Sequence, residues 1–176
     1  LRERGWENWI RQHQGNFLLV GICGGFQMLG EWITDPKGIE GPIDGASGLG
    51  VLPLRTEMVA TKILQLAEYE GQEILKGCKV SGYEIHAGRS QLQLAKWMDL
   101  VEPSGLCVWD EKQRILGTYL HGIFDKGEVA NRLLQLTGKQ IQPIPDHAQE
   151  SLRELDRLAD LIERHCNLSR ILDGLC

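Results

Sequence analysis

The stretch Phe17-Leu18-Leu19-Val20-Gly21-Ile22-Cys23-Gly24-Gly25-Phe26-Gln27-Met28-Leu29-Gly30 decides how the rest of the chain is read. Phe17 to Val20, with Ile22, form an apolar run of the kind that makes a buried strand. Gly21, Gly24 and Gly25 permit a tight strand-to-helix turn. The layout is that of a nucleophile elbow, with a thiol where hydrolases of the G-x-S-x-G type carry a hydroxyl. Such a turn presents Sγ at the carboxyl end of a strand. It also aims the following N–H groups at one point, where they lower a thiol pKa and hold an oxyanion. A cysteine after an apolar run is often only a small buried hydrophobe. The elbow reading therefore needs a base elsewhere in the chain.

Length and composition set the frame. The 176 residues suffice for one domain with a single core, and 42% apolar with 24% charged residues is ordinary for a globular protein. The net charge of −5 argues against general nucleic-acid binding. No apolar run is long enough to span a membrane, and no signal peptide is visible. The five cysteines (Cys23, Cys78, Cys107, Cys166, Cys176) are odd in number and widely spaced. They include no C-x-x-C pair, so neither a zinc site nor a disulfide framework is expected. Reduced thiols fit a cytoplasmic protein.

Around the elbow the pattern alternates between helix and strand, the rhythm of an α/β protein. Trp6 to Gln14 reads as a helix, stopped by Gly15-Asn16. Gln27 to Ile33 reads as the continuation of the elbow helix, ended by Asp35-Pro36. Residues 35–50 are rich in Gly and Pro and read as a long loop, which in compact domains tends to be functional or mobile. Leu49 to Leu54, Thr56 to Leu66 and Val80 to His86 read as strands, the last ending in a turn at Ala87-Gly88-Arg89. Cys107 to Trp109 and Ile115 to Leu120 read as a hairpin. Gly127 to Leu136 is a helix, and Gln142 to Asp146 a proline-broken connector. From Ser151 to Arg164, Leu152, Leu155, Leu158, Ala159, Leu161 and Ile162 recur at helical spacing, as on a packing helix.

A cysteine nucleophile needs a base. His13, His147 and His165 fall on a leading helix, a polar connector and a helix end, where solvated or structural roles suffice. His86 and His121 each close a predicted strand beside glycine. Catalytic groups of open α/β sheets gather at such strand ends. His121, in Gly117-Thr118-Tyr119-Leu120-His121-Gly122-Ile123-Phe124-Asp125, is the expected base.

With these residues assembled, Gly21-Ile22-Cys23-Gly24-Gly25-Phe26-Gln27 resembles the signature of class I glutamine amidotransferases. Asp35-Pro36-Lys37-Gly38-Ile39-Glu40-Gly41, Gly48-Leu49-Gly50, Gly82-Tyr83-Glu84-Ile85-His86-Ala87-Gly88-Arg89 and the stretch around His121 resemble, in order, the C-terminal domain of the cobyric acid synthase family. The resemblance implies a flavodoxin-like α/β domain in which Cys23 attacks the side-chain amide of glutamine and His121 moves the proton. It implies Gly24 as an oxyanion donor and Gln27 as a substrate contact, or else a supporting polar residue. It leaves Arg89 as a candidate for the glutamine α-carboxylate, which a guanidinium suits. Tyr83 and His86 either line the pocket or face a partner domain.

In the intact family enzyme the ammonia amidates the b, d, e and g carboxylates of adenosylcobyrinic acid a,c-diamide. An N-terminal synthetase domain using ATP and Mg activates them, in a step of cobalamin biosynthesis. The corrinoid would thus reach this chain through that domain, and no cofactor is expected here.

Two departures stand out. Many class I enzymes carry Glu two residues after the catalytic His, but position 123 is Ile, so a Cys-His dyad is expected. Asp125, and more weakly Glu84, are left as possible orienters of His121. The chain also opens on Leu1-Arg2-Glu3-Arg4 without methionine, and the elbow comes early. The sequence thus reads as one partial amidotransferase domain over 1–176, without the family's first strands or its upstream oxyanion loop. No G-x-x-x-x-G-K-[ST] phosphate loop occurs. The rival readings are the glutaminase of a cobyrinic acid a,c-diamide synthase or of a lipid II-amidating enzyme, a non-catalytic docking remnant, and a cysteine hydrolase of the same fold.

Overall fold

The computed structural model describes residues 3–41, 45–92 and 97–166. Positions 42–44 of the long loop and Cys176 lie outside the described residues. The chain divides into two compact units, Leu1–Ile123 and Phe124–Cys176. The first contains helices α1 (Trp6–Gln12) and α2 (Gly24–Leu29). Its strands are β1 (Leu19–Ile22), β2 (Trp32–Thr34), β3 (Ala46–Ser47), β4 (Leu54–Glu70), β5 (Lys79–Leu92), β6 (Met98–Asp99), β7 (Cys107–Asp110), β8 (Ile115–Thr118) and β9 (Leu120–His121). The second contains α3 (Glu128–Gln135) and α4 (His147–His165).

The strands form two mixed sheets, ordered β1-β8-β7-β6 and β3-β2-β4-β5-β9. The α/β class expected from the sequence is the one observed. β1 pairs parallel with β8, with Ile22 opposite Thr118. The predicted hairpin is present as β7 and β8, whose residues are all buried. Phe26, fully buried on α2, packs into space left by Gly117, where a Cβ would lie 2.3 Å from its ring. At Gly21 a Cβ would meet Leu29 at 2.6 Å and Phe26 N at 2.9 Å. These missing side chains let α2 lie close against β1 and β8, and so fix where the elbow points.

Four sequence expectations give way. The elbow helix stops at Leu29, and Trp32–Thr34 turn into a strand parallel to β4. The cause is at Gly30, where the backbone comes so near that a Cβ would sit 2.6 Å from Leu54 O. Trp32, Ile33 and Thr34 are moreover strand formers. Residues 49–53 are not a strand but fold back over the end of α2. Leu49, Gly50, Val51 and Leu52 donate their N–H groups to Met28, Gly30 and Leu29 carbonyls at 2.7–3.0 Å. The Gly48-Leu49-Gly50 motif thus closes a helix end whose carbonyls would otherwise lack partners.

The expected turn at Ala87-Gly88-Arg89 is continuous strand, with Gly88 opposite Met58 and Arg89 opposite Glu57. The irregularity lies instead on β4, between Met58 and Ile63, where the register shifts. Finally, α4 forms but does not pack as expected. Leu152 is 63% exposed, Leu155 59% and Leu158 51%, and no residue of the helix is buried. Within the second unit no described residue covers that face. No described helix is long and apolar enough to cross a membrane.

Candidate active site at the Cys23 elbow

Cys23 caps α2 with φ 52° and ψ −113°, a backbone conformation that L-residues rarely adopt. Such strain costs on the order of 1–3 kcal/mol and persists only where the surroundings enforce it. Here the Cys23 N–H donates to Thr118 O at 2.8 Å, and Cys23 O accepts the Gln27 N–H at 3.0 Å. The half-buried Sγ lies 3.5 Å from Ile85 O on β5. Burial pushes the thiol pKa up, the Gly24 N–H draws it down, the Glu40 carboxylate raises it and the Lys62 ammonium lowers it. The net shift is upward, so this thiol needs a base to become a nucleophile.

His121 ends β9, three residues after β8, and β8 runs beside β1 in parallel. Cys23 and His121 thus follow the same ends of two neighbouring strands. Tyr83 lies opposite His121 in the β5–β9 ladder, and its ring stacks on the imidazole with centroids 5.1 Å apart. The Nε2 of His121 is buried and finds no hydrogen-bond partner among the described residues. Buried polar atoms are nearly always bonded. Among the described residues the Trp109 Nε1 and Gln113 Oε1 atoms share this state, but of the three only the His121 ring stands at the end of a strand that follows β8, the neighbour of the elbow strand.

Gln27 follows on α2 and is buried. With Asp35, Glu40, Gly41 and Met58 it lines a cavity of about 200 Å³. The Asp35 carboxylate accepts the N–H groups of Ile39, Glu40 and Gly41 at 2.8 Å each. These bonds, that from Ile39 first, hold its pKa below the usual carboxylate range. They shape the Asp35–Gly41 turn as a cavity wall and bring the Glu40 charge to bear on the thiol.

A family model for the CobB/CobQ-like glutamine amidotransferase domain matches residues 1–129. The chain belongs to this family. The amidotransferase domain also resembles a solved structure described as "Crystal structure of glutamine amidotransferase". The TM-score is 0.57 at 20% identity, over 78% of this chain and 71% of that one. The likeness is one of fold.

Within this amidotransferase domain the structure sorts the residues expected from the sequence. Cys23, Gly24 and Gln27 share the elbow, and Tyr83 and His121 stand together. Arg89 stands elsewhere. Gly88 faces Gln27, and strand alternation sends the next side chain to the opposite face. Arg89 accordingly lines a separate groove with Trp32, Arg55, Glu57 and Gln91. His86 is buried in a polar network. Its Nδ1 is 2.8 Å from Gly88 O, its Nε2 3.4 Å from Glu84 Oε2, and its ring stacks on Tyr119. Glu84 also accepts from Gln65 at 2.9 Å and Tyr69 at 2.7 Å. Burial alone would raise the Glu84 pKa, but these bonds and the neighbouring His86 bring it below the usual range. Tyr69 is pushed up to about 12 by burial and by Glu84. The Glu84 carboxylate is thus engaged away from His121. Asp125 belongs to the second unit, where its carbonyl accepts the His147 N–H at 2.7 Å.

Two charges that act on the thiol have no role in the sequence reading. Glu40 stood inside a quoted motif without one. Lys62 lies in the segment where the β4 register shifts, and bulges of this kind re-aim side chains beside active sites. Their signs give a test. Glu40→Gln removes a negative charge and so favours the thiolate. At neutral pH, iodoacetamide should alkylate Cys23 roughly 2- to 5-fold faster in that variant. Lys62→Met should slow it. Rates fitted across pH check both, and the two profiles should move in opposite directions.

Proposed function

We propose that this chain is the glutamine-hydrolysing part of a cobyric acid synthase. The observation that carries the glutaminase reading is a strained thiol and an imidazole nitrogen without a partner among the described residues, both following the same ends of neighbouring strands. His121 takes the Cys23 proton as Sγ bonds to the side-chain carbonyl carbon of glutamine. The Gly24 N–H faces the oxyanion that forms. The C–N bond then breaks, and His121 returns the proton to the leaving ammonia. Water hydrolyses the γ-glutamyl thioester, releasing glutamate and restoring the thiol. Gln27 and the acidic cavity wall suit a polar, amine-bearing substrate. The Lys62 ammonium, near enough to act on the thiol, supplies a positive charge for a carboxylate.

The acceptor rests on the sequence resemblance. The motifs Asp35–Gly41, Gly82–Arg89 and Gly117–Asp125 favour a corrinoid carboxylate activated by a synthetase domain that uses ATP and Mg. Glutamine labelled with ¹⁵N at the amide tests both levels. The chain should release labelled ammonia from glutamine and not from asparagine. With a cobyric acid synthase's synthetase part, adenosylcobyrinic acid a,c-diamide should gain the label. Labelling of cobyrinic acid or lipid II instead would reassign the acceptor, and no release by the folded chain would end the glutaminase reading.

A further inference from the structure

Tyr119 lies between β8 and β9, two residues before His121, and is only 3% exposed. Its ring is held on two sides. It stacks on His86 with centroids 3.8 Å apart and meets Phe26 edge-on at 5.2 Å. Phenylalanine would keep both contacts, so the ring explains an aromatic residue and not a phenol. The hydroxyl bonds to Ser90 Oγ and accepts from Gln27 Nε2 at 3.4 Å. Ser90 Oγ lies 2.8 Å from Thr56 Oγ1. A chain of polar groups therefore ties the Gln27 carboxamide, on the cavity wall, to β5 and β4. Burial raises the Tyr119 pKa, which keeps the hydroxyl protonated.

Gly88 supplies an independent observation. A Cβ there would fall 2.3 Å from Gln27 Nε2 and 3.1 Å from the Tyr119 hydroxyl. Its backbone is outside the left-handed region, so the conformation does not demand glycine. The space does. Two separate features, a hydroxyl and a missing side chain, thus serve the placement of one carboxamide.

We propose that Tyr119 is a positioning residue: its hydroxyl fixes the Gln27 carboxamide in the orientation that reads the substrate amide or amino-acid end, and Gly88 keeps that place open. This rests on the glutamine-hydrolysing reading above. Tyr119→Phe and Gly88→Ala should each raise the KM for glutamine roughly 5- to 10-fold, the net worth of one hydrogen bond, with kcat within about twofold. Alkylation of Cys23 by iodoacetamide, which needs the thiolate and no glutamine pocket, should be unchanged in both. In a Gln27→Ala background Tyr119→Phe should add nothing, because the two act through one bond.

An unchanged KM in Tyr119→Phe, or additive losses with Gln27→Ala, would overturn the assignment. So would a joint fall in kcat, KM-independent alkylation rate and thermal midpoint, the mark of a structural role. If Gly88→Ala does not fold, Tyr119→Phe decides alone. Absence of glutamine turnover in the parent chain strikes the glutaminase reading, and this proposal with it. Turnover in the parent with no effect of either variant strikes the proposal only.

Discussion

Cys23→Ala should abolish glutamine hydrolysis, with a loss of at least about 1,000-fold against the parent chain. Of the other described thiols, Cys166 is exposed at the end of α4 in the second unit. Cys78 and Cys107 are buried, and burial pushes the Cys107 thiol up to about 12. The fold should survive, since Cys23 is held by backbone bonds to Thr118 and Gln27, and its side chain adds only the 3.5 Å contact of Sγ with Ile85 O. Its conformation also predicts a difference between two inactive variants. At φ 52°, ψ −113°, alanine keeps the strain and glycine relieves it. Cys23→Gly should therefore be the more stable of the two, by about 1 kcal/mol, read as the difference in denaturant midpoints. Equal stability would mean that the elbow is not strained in solution. Residual hydrolysis near the parent rate in either variant would remove Cys23 from the chemistry.

His121→Ala should lower kcat/KM by roughly 100- to 10,000-fold, the range of a positioned general base. Its residual activity should carry a diagnostic pH dependence. Burial and Glu40 raise the Cys23 thiol pKa, so without an internal base the thiolate forms only as pH rises past the ordinary thiol range. The variant's rate should thus keep climbing with pH where the parent has levelled. Loss of the imidazole also removes the stacking partner of Tyr83, a contact worth roughly 0.5–1.5 kcal/mol. Thermal unfolding measured beside the kinetics separates that small effect from the catalytic one. A His121→Ala chain with parental rate and pH profile would show that the base lies elsewhere.

What the sequence made legible was local and covalent in origin. The Gly21–Gly25 elbow needs only neighbouring residues to be recognised, and the strand and the helix follow from them, but the positive φ expected of the glycines falls on Cys23 instead. The place of His121 at a strand end was legible because such an end beside glycine is visible in one dimension. What was not legible depends on approaches between distant segments. The end of α2 is set at Gly30 by Leu54, and the stretch Leu49–Leu52 is shaped by the carbonyls it covers. Arg89 and Gly88 are adjacent in sequence but face opposite sides of β5, and only the strand running through both shows it. Read as a turn, that stretch left Arg89 free to be assigned to glutamine. The roles of Glu40 and Lys62 come from a shaped loop and a bulged strand, neither of which periodicity reports. The apolar stripe of α4 was read correctly as a helix, but amphipathicity indicates a face and not what covers it.

Joint action of Cys23 and His121 on glutamine is open to a chemical trap. The most direct test is labelling with 6-diazo-5-oxo-norleucine, a glutamine analogue that traps an activated thiol, with the site located by peptide mass spectrometry. One adduct is expected, on Cys23, formed by the parent chain, absent in Cys23→Ser and slowed in His121→Ala. Excess glutamine should protect against it. A folded chain that forms no adduct, or forms it equally fast without His121, would contradict the account.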